Sequence, residues 1–173
     1  MLDTEHMTVT GADLRIERED GATWTLRAAQ RLPLSRSELF RFFADPGNLA
    51  RITPPAMHFD ILTPRPIAMG VGVLIDYRVR VWGVGMRWRT LISSWDPPIE
   101  FVDTQVRGPY AEWVHRHRFI DLADAGTLLQ DDVRFRLPLA RLGAVAGPIV
   151  RQQLRRIFEF RRHAIARALV GGA

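Results

Sequence analysis

The chain has 173 residues, 47% of them hydrophobic and 25% charged, a balance typical of one globular domain and unlike that of a disordered chain. Its net charge is +5, every basic residue is an arginine, and cysteine is absent. The composition therefore excludes disulfides, thiolate nucleophiles, cysteine metal sites and the Schiff-base and phosphate-loop chemistry of lysine.

The chain shows no pattern typical of a membrane or secretory segment. Its apolar runs, such as residues 137–140 and 144–146, fall far short of the roughly 18 residues that span a bilayer. Residues 1–20 lack the basic and apolar regions of a secretory signal. We therefore expect a cytoplasmic protein that does not insert into membranes.

The N-terminal part of the chain predicts a tail and a first strand. Residues 1–20 are polar and weakly periodic, and we expect them to form a flexible tail or a weak edge strand. The single domain is expected to cover residues 21–173. Its first strand is predicted over residues 23–32, where apolar and polar residues alternate.

Two short helical segments are predicted after this strand. Ser35 and Ser37 are both possible N-caps for a helix over residues 38–43, whose apolar residues crowd one side. The Asp-Pro-Gly-Asn run at residues 45–48 breaks this helix. The apolar spacing of residues 49–52 then indicates a second helical turn.

The middle of the chain reads as a succession of strands. Turn residues separate them, including Gly83, the Asp-Pro-Pro run at 96–98 and the Ala-Asp-Ala-Gly run at 123–126. The predicted strands cover residues 57–63, 71–82, 86–95, 100–106, 111–121 and 127–137. Short connections of this kind predict an antiparallel sheet.

The last part of the chain has helical periodicity over residues 142–170. One apolar stripe runs along it, and Pro148 is tolerable in a first turn. A helix of this length with one apolar face needs a large concave partner, which only the sheet offers. The predicted fold class is therefore α+β, with a curved antiparallel sheet of six or seven strands wrapped around one long C-terminal helix.

The last two strands and the helix carry a distinctive set of residues. The set consists of Gly108, Pro109, Tyr110, Trp113, His115, His117 and Phe119, then Thr127, Asp131, Val133, Phe135 and Pro138, and finally Ile157, Phe158 and Arg161. With the order of elements, it resembles the helix-grip fold of the START/Bet v 1-like (SRPBCC) superfamily, especially its bacterial polyketide cyclase/dehydrase-type branch. The resemblance implies a cavity for sterols, lipids, quinones, hormones or polyketides, and only some members are enzymes.

Alternation along the strands assigns their side chains to two faces. The outward face is strongly basic, whereas the inward face combines aromatic and β-branched residues with a few polar groups, as is typical of a small-molecule pocket. The residues expected to bind a ligand there are Tyr77, Trp88, Thr90, Trp113, His115, His117, Phe135 and Arg161. The alternative is that the polar groups satisfy one another within a filled core.

Arg161 has two possible positions. If its guanidinium reaches the cavity mouth, it can hold a carboxylate or carbonyl of the ligand. Otherwise its stem lies on the sheet and its charged end reaches solvent.

His117, Asp131 and His115 are the candidate catalytic residues if the protein is an enzyme. A three-residue connection that pairs Leu122 with Gly126 sets His117 opposite Asp131, which predicts a hydrogen-bonded pair at the cavity wall. A histidine oriented by a carboxylate can act as a general acid or base. Two imidazoles and a carboxylate can also hold a metal ion, but without a further ligand motif we expect neither a metal nor a cofactor.

The function expected from the sequence is binding or transport of a hydrophobic small molecule, either a lipid, a quinone, an aromatic or a polyketide-like compound. One alternative is a cofactor-independent cyclase, dehydratase or isomerase. A second is an interaction module that uses the arginine-rich outer face. No reading motif accompanies the basic charge, so nucleic acid is not an expected partner, and the oligomeric state is not predicted.

Overall fold

The fold is an antiparallel sheet that curves around one long helix. A computed structural model describes residues 13–81, 83–123, 126–138 and 140–169. The eight strands follow the order β1-β2-β8-β7-β6-β5-β4-β3, and each neighbouring pair is antiparallel. The predicted α+β helix-grip fold is therefore confirmed, with eight strands where six or seven were expected.

The elements follow one another in this order. The strands are β1 (Leu14–Asp20), β2 (Thr23–Leu32), β3 (Asp60–Ile61), β4 (Leu74–Val81), β5 (Val84–Asp96), β6 (Glu100–Arg107), β7 (Glu112–Asp121) and β8 (Thr127–Arg136). Helix α1 (Arg36–Phe43) and two 3₁₀ helices (Pro46–Ile52 and Pro55–Met57) lie between β2 and β3, and α2 (Ala140–Leu169) ends the described chain.

The expected N-terminal tail contains a strand. Residues 14–20 form β1, which pairs with β2 at the edge of the sheet, so the edge-strand alternative holds for this part. Residues 1–12 of the expected tail lie outside the described residues. The predicted two-helix insertion is present, and its first helix begins with a capping box at Ser35 rather than at Ser37.

The run at residues 45–48 was predicted to break the first helix, and α1 indeed ends before it, at Phe43. The same run also begins the second helix of the insertion. The Oδ1 atom of Asp45 accepts a hydrogen bond of 2.8 Å from the backbone N–H of Gly47. This bond caps the 3₁₀ helix that starts at Pro46, where the fixed φ of proline suits a first helical position.

Strand β5 gives the sheet part of its curvature. Its pairing with β6 shifts register between Arg89 and Thr90 and again between Ile92 and Ser94. Such irregularities bend a strand and increase its twist. The inner face of the sheet is consequently concave where it meets α2.

Helix α2 covers the concave face with two groups of buried residues. Val150, Leu154 and Phe158 belong to one apolar cluster with the sheet, and Ala164 and Ile165 belong to a second. Because the helix begins at Ala140, Pro148 lies inside it rather than in its first turn. A Cβ at Gly147 would lie 2.8 Å from the ring of Trp24, so glycine permits a close approach of the helix to β2.

The arginines of the outer face form ion pairs with neighbouring carboxylates. The pairs join Arg89 to Asp76 at 2.8 Å, Arg27 to Asp132 at 3.5 Å, Arg118 to Glu100 at 3.6 Å, Arg134 to Glu19 at 3.2 Å and Arg136 to Glu112 at 3.5 Å. Exposed pairs add little stability, but they offset the positive charge of this face. In the described part of the chain, no helix is long and apolar enough to cross a membrane.

Candidate functional site

A cavity of about 160 Å³ lies between the concave face of the sheet, α2 and the α1 region. Strands β4 to β7 form one wall, α2 forms the opposite wall, and α1 with the first 3₁₀ helix closes one side. The aromatic side chains that line it are Phe42, Phe43, Phe59, Tyr77, Trp88, Phe101, Tyr110, Trp113 and Phe158. The cavity is therefore largely apolar and rich in rings.

The cavity lies between the two apolar clusters of the core. Tyr77, Trp88 and Trp113 belong to the first cluster, whereas Phe42 and Phe101 belong to the second, and all five line the cavity. The clusters thus form opposite parts of its wall. The polar residues of the concave face lie where they meet.

Three adjacent strands bring four ionisable side chains together at this place. His115 and His117 are two residues apart on β7 and share its inward face. Asp103 of β6 is paired with His115, and Asp131 of β8 is paired with His117. Each imidazole consequently lies between the two carboxylates.

The distances show how closely the four groups interact. For His115, Nε2 lies 2.9 Å from Oδ1 of Asp131, and Nδ1 lies 3.6 Å from Oδ2 of Asp103. For His117, Nε2 lies 3.3 Å from Oδ2 of Asp103, and Nδ1 lies 2.7 Å from Oδ1 of Asp131. The 2.7 Å contact is an ion pair when His117 is protonated. It is not aligned as a hydrogen bond, since Nδ1 of His117 has no hydrogen-bond partner among the described residues.

The predicted register of the last hairpin is correct, but the predicted hydrogen bond is not. His117 stands opposite Asp131, and the N–H of Leu122 donates to the carbonyl of Gly126 at 2.8 Å. The hydrogen bond to Asp131, however, comes from Nε2 of His115. Asp124 and Ala125, the centre of the predicted loop, lie outside the described residues.

The two histidines have opposite pKa shifts. Burial lowers the pKa of His115, and the charge of His117 lowers it further. Burial also opposes the charged form of His117, but the charge of Asp131, the hydrogen bond to Asp103 and the charge of Asp103 outweigh it and raise the pKa of His117. The charges of His117 and His115 and the hydrogen bond from His115 overcome the effect of burial on Asp131 and lower its pKa, so Asp131 is held as a carboxylate.

Tyr77 and Thr90 form a second polar pair in the cavity wall. Their hydroxyl oxygens are 2.6 Å apart and buried. Burial, reinforced by the charge of Asp103, raises the pKa of Tyr77. The phenol is therefore neutral at physiological pH.

Two buried donors of the cavity wall lack an acceptor in the described part of the chain. They are the indole Nε1–H of Trp88 and the Nε–H of Arg161. The guanidinium carbon of Arg161 lies 5.1 Å from the centre of the Phe158 ring. Buried polar groups are normally paired, so an acceptor from a ligand or a water molecule is needed at both positions.

The structure places most of the expected pocket residues at the cavity. Those that line it are Tyr77, Trp88, Thr90, Trp113, His115, His117 and Arg161. Arg161 thus takes the inward of its two possible positions. The role of these residues in binding a ligand stays a prediction.

Two expected site residues lie away from the cavity. Phe135 faces inward as predicted but is sealed in the core, 1% exposed, with its ring centre 5.7 Å from that of Tyr110 and 6.0 Å from that of Trp113. Asp131 lies behind the histidines and borders a separate pocket of only about 30 Å³. It can therefore act on a bound molecule only through His115 and His117.

Asp103 is a site residue that the sequence reasoning missed. It lies at the cavity wall and interacts with both histidines. Phe101 is buried two residues earlier on the same strand, so alternation from this residue would have placed Asp103 on the inward face. The strand was predicted, but its two faces were not assigned.

Comparison with solved structures shows the same fold at low sequence identity. The aromatase/cyclase Zhui from a Streptomyces species matches with a TM-score of 0.62 and 16% identity, over 87% of this chain and 99% of that chain. A START superfamily protein from Mycobacterium smegmatis matches with a TM-score of 0.56 and 14% identity, over 82% of this chain and 98% of that chain.

A plant enzyme also shares the fold. Norcoclaurine synthase from Thalictrum flavum, in complex with dopamine and hydroxybenzaldehyde, matches with a TM-score of 0.63 and 10% identity, over 87% of this chain and 88% of that chain. No family model matches the sequence. No curated protein matches it either. The expected START/Bet v 1-like resemblance is thus confirmed for the fold, in which both enzymes and other proteins occur.

The contacts of Asp131 generate a first prediction. Asp131→Asn removes the charge that raises the pKa of His117, so this pKa should fall. The pKa is measured by NMR titration of the histidine ring protons, in protein treated with a chelator to remove any metal ions. Asp132→Asn is the matched control, because Asp132 lies on the outer face and pairs with Arg27. An unchanged pKa of His117 in Asp131→Asn, or an equal fall in the control, would contradict the described cluster.

Proposed function

We propose that the protein binds one apolar small molecule, with one or two rings and an oxygen acceptor, in the cavity between the sheet and α2. The observation that carries this proposal is an aromatic-lined cavity whose wall contains two buried donors without an acceptor among the described residues. A mostly apolar pocket with a few converging polar groups is the usual form of a ligand site.

The size of the cavity favours a compact ligand. Cavities of about 150 Å³ in other proteins take up benzene, and this one measures about 160 Å³. One or two rings fit such a space, whereas a long lipid chain or a quinone tail would need the walls to move apart. Among the expected ligand classes, the aromatic and small polyketide-like compounds therefore fit best.

The unpaired donors favour an oxygen acceptor on the ligand. Trp88 offers its indole N–H from β5, and Arg161 offers its guanidinium N–H from α2. A carbonyl or carboxylate oxygen satisfies such donors, and a carboxylate gains a charge-assisted bond to the guanidinium. A pure hydrocarbon would leave both donors unpaired, at a cost in affinity.

The similar structures support an aromatic ligand. Norcoclaurine synthase has this fold in complex with dopamine and hydroxybenzaldehyde, and Zhui is an aromatase/cyclase. Both names refer to compounds with aromatic rings. At identities of 10% and 16%, they support the ligand class without indicating the compound.

A catalytic role is the second candidate, and the placement of the histidines favours it. The imidazoles of His115 and His117 line the cavity in which the molecule would be held, and Asp131 fixes them from behind. An imidazole in this position can move a proton to or from a bound molecule. In a cyclisation, a dehydration or an isomerisation, such a group can remove a C–H proton or protonate an oxygen, and a dehydration then breaks the C–O bond and releases water.

Binding of a neutral aromatic probe tests the binding proposal. The fluorescent two-ring probe 2-naphthol should bind with a micromolar Kd, equivalent to about 8 kcal/mol, and should raise the Tm of the protein by mass action. Thr90→Trp fills the cavity and should abolish binding, because Thr90 lines it and is 3% exposed. Binding is followed by probe fluorescence and by thermal denaturation.

Thr104→Trp is the control for this experiment, since it adds the same ring on the outer face, beside Ser93. This variant should bind the probe as the wild type does. A wild type that binds no probe, or a Thr90→Trp variant that binds it equally well, would overturn the proposed site.

A pair of matched ligands tests the role of Arg161. 2-Naphthoate should displace the probe roughly 10-fold more strongly than 2-methylnaphthalene, because a hydrogen bond to a charged group is worth about 1.5–3 kcal/mol. Arg161→Gln should remove this preference, and Arg162→Gln should retain it, since Arg162 contacts His163 rather than the cavity. Equal displacement by the two ligands in the wild type would show that Arg161 binds no acceptor.

Recovery of the natural ligand distinguishes binding from catalysis. Protein produced in its own host is denatured, and the released molecule is identified by mass spectrometry for the wild type and for His117→Gln. A binding protein should release the same compound from both. If the protein is an enzyme, the variant should release a precursor of the compound found in the wild type. The precursor would differ from that compound by the mass of one water or, for an isomer, in its chromatographic retention. His163→Gln, at an exposed histidine, is the control and should release the same compound as the wild type.

A further inference from the structure

The geometry points to a site for one divalent transition-metal ion, held by Asp103, His115 and His117 at the cavity wall. This inference is independent of the proposed ligand, because it rests on three side chains of β6 and β7 and on one carboxylate behind them. Their candidate ligand atoms all lie within 4.8 Å of one another.

The spacing of the ligand atoms fits a metal ion. Oδ2 of Asp103 lies 3.6 Å from Nδ1 of His115 and 3.3 Å from Nε2 of His117. A tetrahedral ion with bonds of about 2.0–2.2 Å separates its ligand atoms by roughly 3.3–3.6 Å. Both separations therefore suit a common ion.

The other nitrogen of each ring faces a second carboxylate. Nε2 of His115 and Nδ1 of His117 lie 2.9 and 2.7 Å from Oδ1 of Asp131, a residue that is 5% exposed. Histidines that bind metals usually donate their remaining N–H to a carboxylate, which fixes the ring and its tautomer. Asp131 has this position toward both histidines at once.

The metal-bound form is balanced in protons and in charge. A neutral imidazole has one N–H and one lone pair. With both N–H groups turned to Asp131, the lone pairs of Nδ1 of His115 and Nε2 of His117 are left for the cation, together with the carboxylate of Asp103. The two charges of the cation then balance those of Asp103 and Asp131.

The donor set indicates the class of metal. Two imidazoles and one carboxylate suit zinc, iron, cobalt or nickel, whereas calcium and magnesium prefer oxygen ligands. Three protein ligands leave at least one coordination position for water or for an oxygen of a bound molecule. Because Asp103, His115 and His117 line the cavity, this position is available to a molecule held there.

Cobalt binding tests this site directly. Tag-free protein is treated with a chelator, dialysed and titrated with Co²⁺, while visible absorption and calorimetry are recorded. The wild type should bind one equivalent with micromolar or tighter affinity and develop the intense bands of four- or five-coordinate cobalt. Asp103→Asn should abolish these bands, and Asp131→Asn should weaken binding roughly 10- to 100-fold.

Matched controls and a second measurement complete the test. Asp132→Asn on the outer face and His163→Gln on the exposed side of α2 should bind Co²⁺ as the wild type does. In wild-type protein, paramagnetic Co²⁺ should shift the ring-proton signals of His115 and His117, so the test does not depend on the folding of a variant.

Two results would overturn the site: absence of saturable one-equivalent binding by the wild type, or binding that Asp103→Asn leaves unchanged. Binding of 2-naphthol in the same samples keeps the two proposals separate. Probe binding without cobalt binding rejects the metal site alone, and cobalt binding without probe binding rejects the proposed ligand alone.

Discussion

Two carboxylates on the concave face of the sheet depend on the two imidazoles between them. An unpaired carboxylate is very costly to bury, yet Asp131 is 5% exposed and lies within an otherwise apolar layer. The register of β6, β7 and β8 makes this possible, because it sets Asp103 beside His115 and His117 beside Asp131. This register gives each carboxylate contacts with both imidazoles.

This polar cluster also explains why the space beside it is not filled by the core. One apolar cluster uses Leu154 and Phe158 of α2, and the other uses Ala164 and Ile165. Arg161 lies between these two groups on the helix and reaches the cavity. Arg161 interrupts the apolar surface of the helix, and the histidines with their carboxylates interrupt that of the sheet. The cavity lies where these two polar regions face each other.

Much of this arrangement follows from the two-residue period of the strands. Alternation placed Tyr77, Thr90, His115 and His117 on the inward face, and the turn before β8 gave the correct register of the last hairpin. The same reasoning missed Asp103 because no inward face was assigned to β6. Strand β1 could not be distinguished from a flexible tail, because its polar and mostly exposed sequence shows little periodicity.

The cavity itself could not be predicted residue by residue. An inward side chain can line a space or seal a core, and Phe135 does the second while Trp113 does the first. The difference depends on how far α2 stands from each strand and on the rotamers between them. For a similar reason, the sequence predicts His117 and not His115 as the hydrogen-bond partner of Asp131. Strand register determines which residues stand opposite each other, but not which imidazole nitrogen is aligned for a hydrogen bond.

The candidate functions differ in what the histidines hold. In a binding protein, the histidines only form part of the cavity wall. In a proton-transfer enzyme, they exchange a proton with the bound molecule. In a metal site, their nitrogen lone pairs coordinate the ion. All three place the histidines in the wall of one open cavity beside Trp88 and Thr90. The three candidate functions therefore all depend on the existence of this cavity.

Diffraction from crystals held under xenon pressure tests whether this cavity exists, because xenon enters apolar cavities of this size without any specific recognition. We expect a xenon peak between Trp88, Thr90 and Leu154, with the surrounding side chains in place. Close-packed side chains at this position, with no xenon between the sheet and α2, would contradict it.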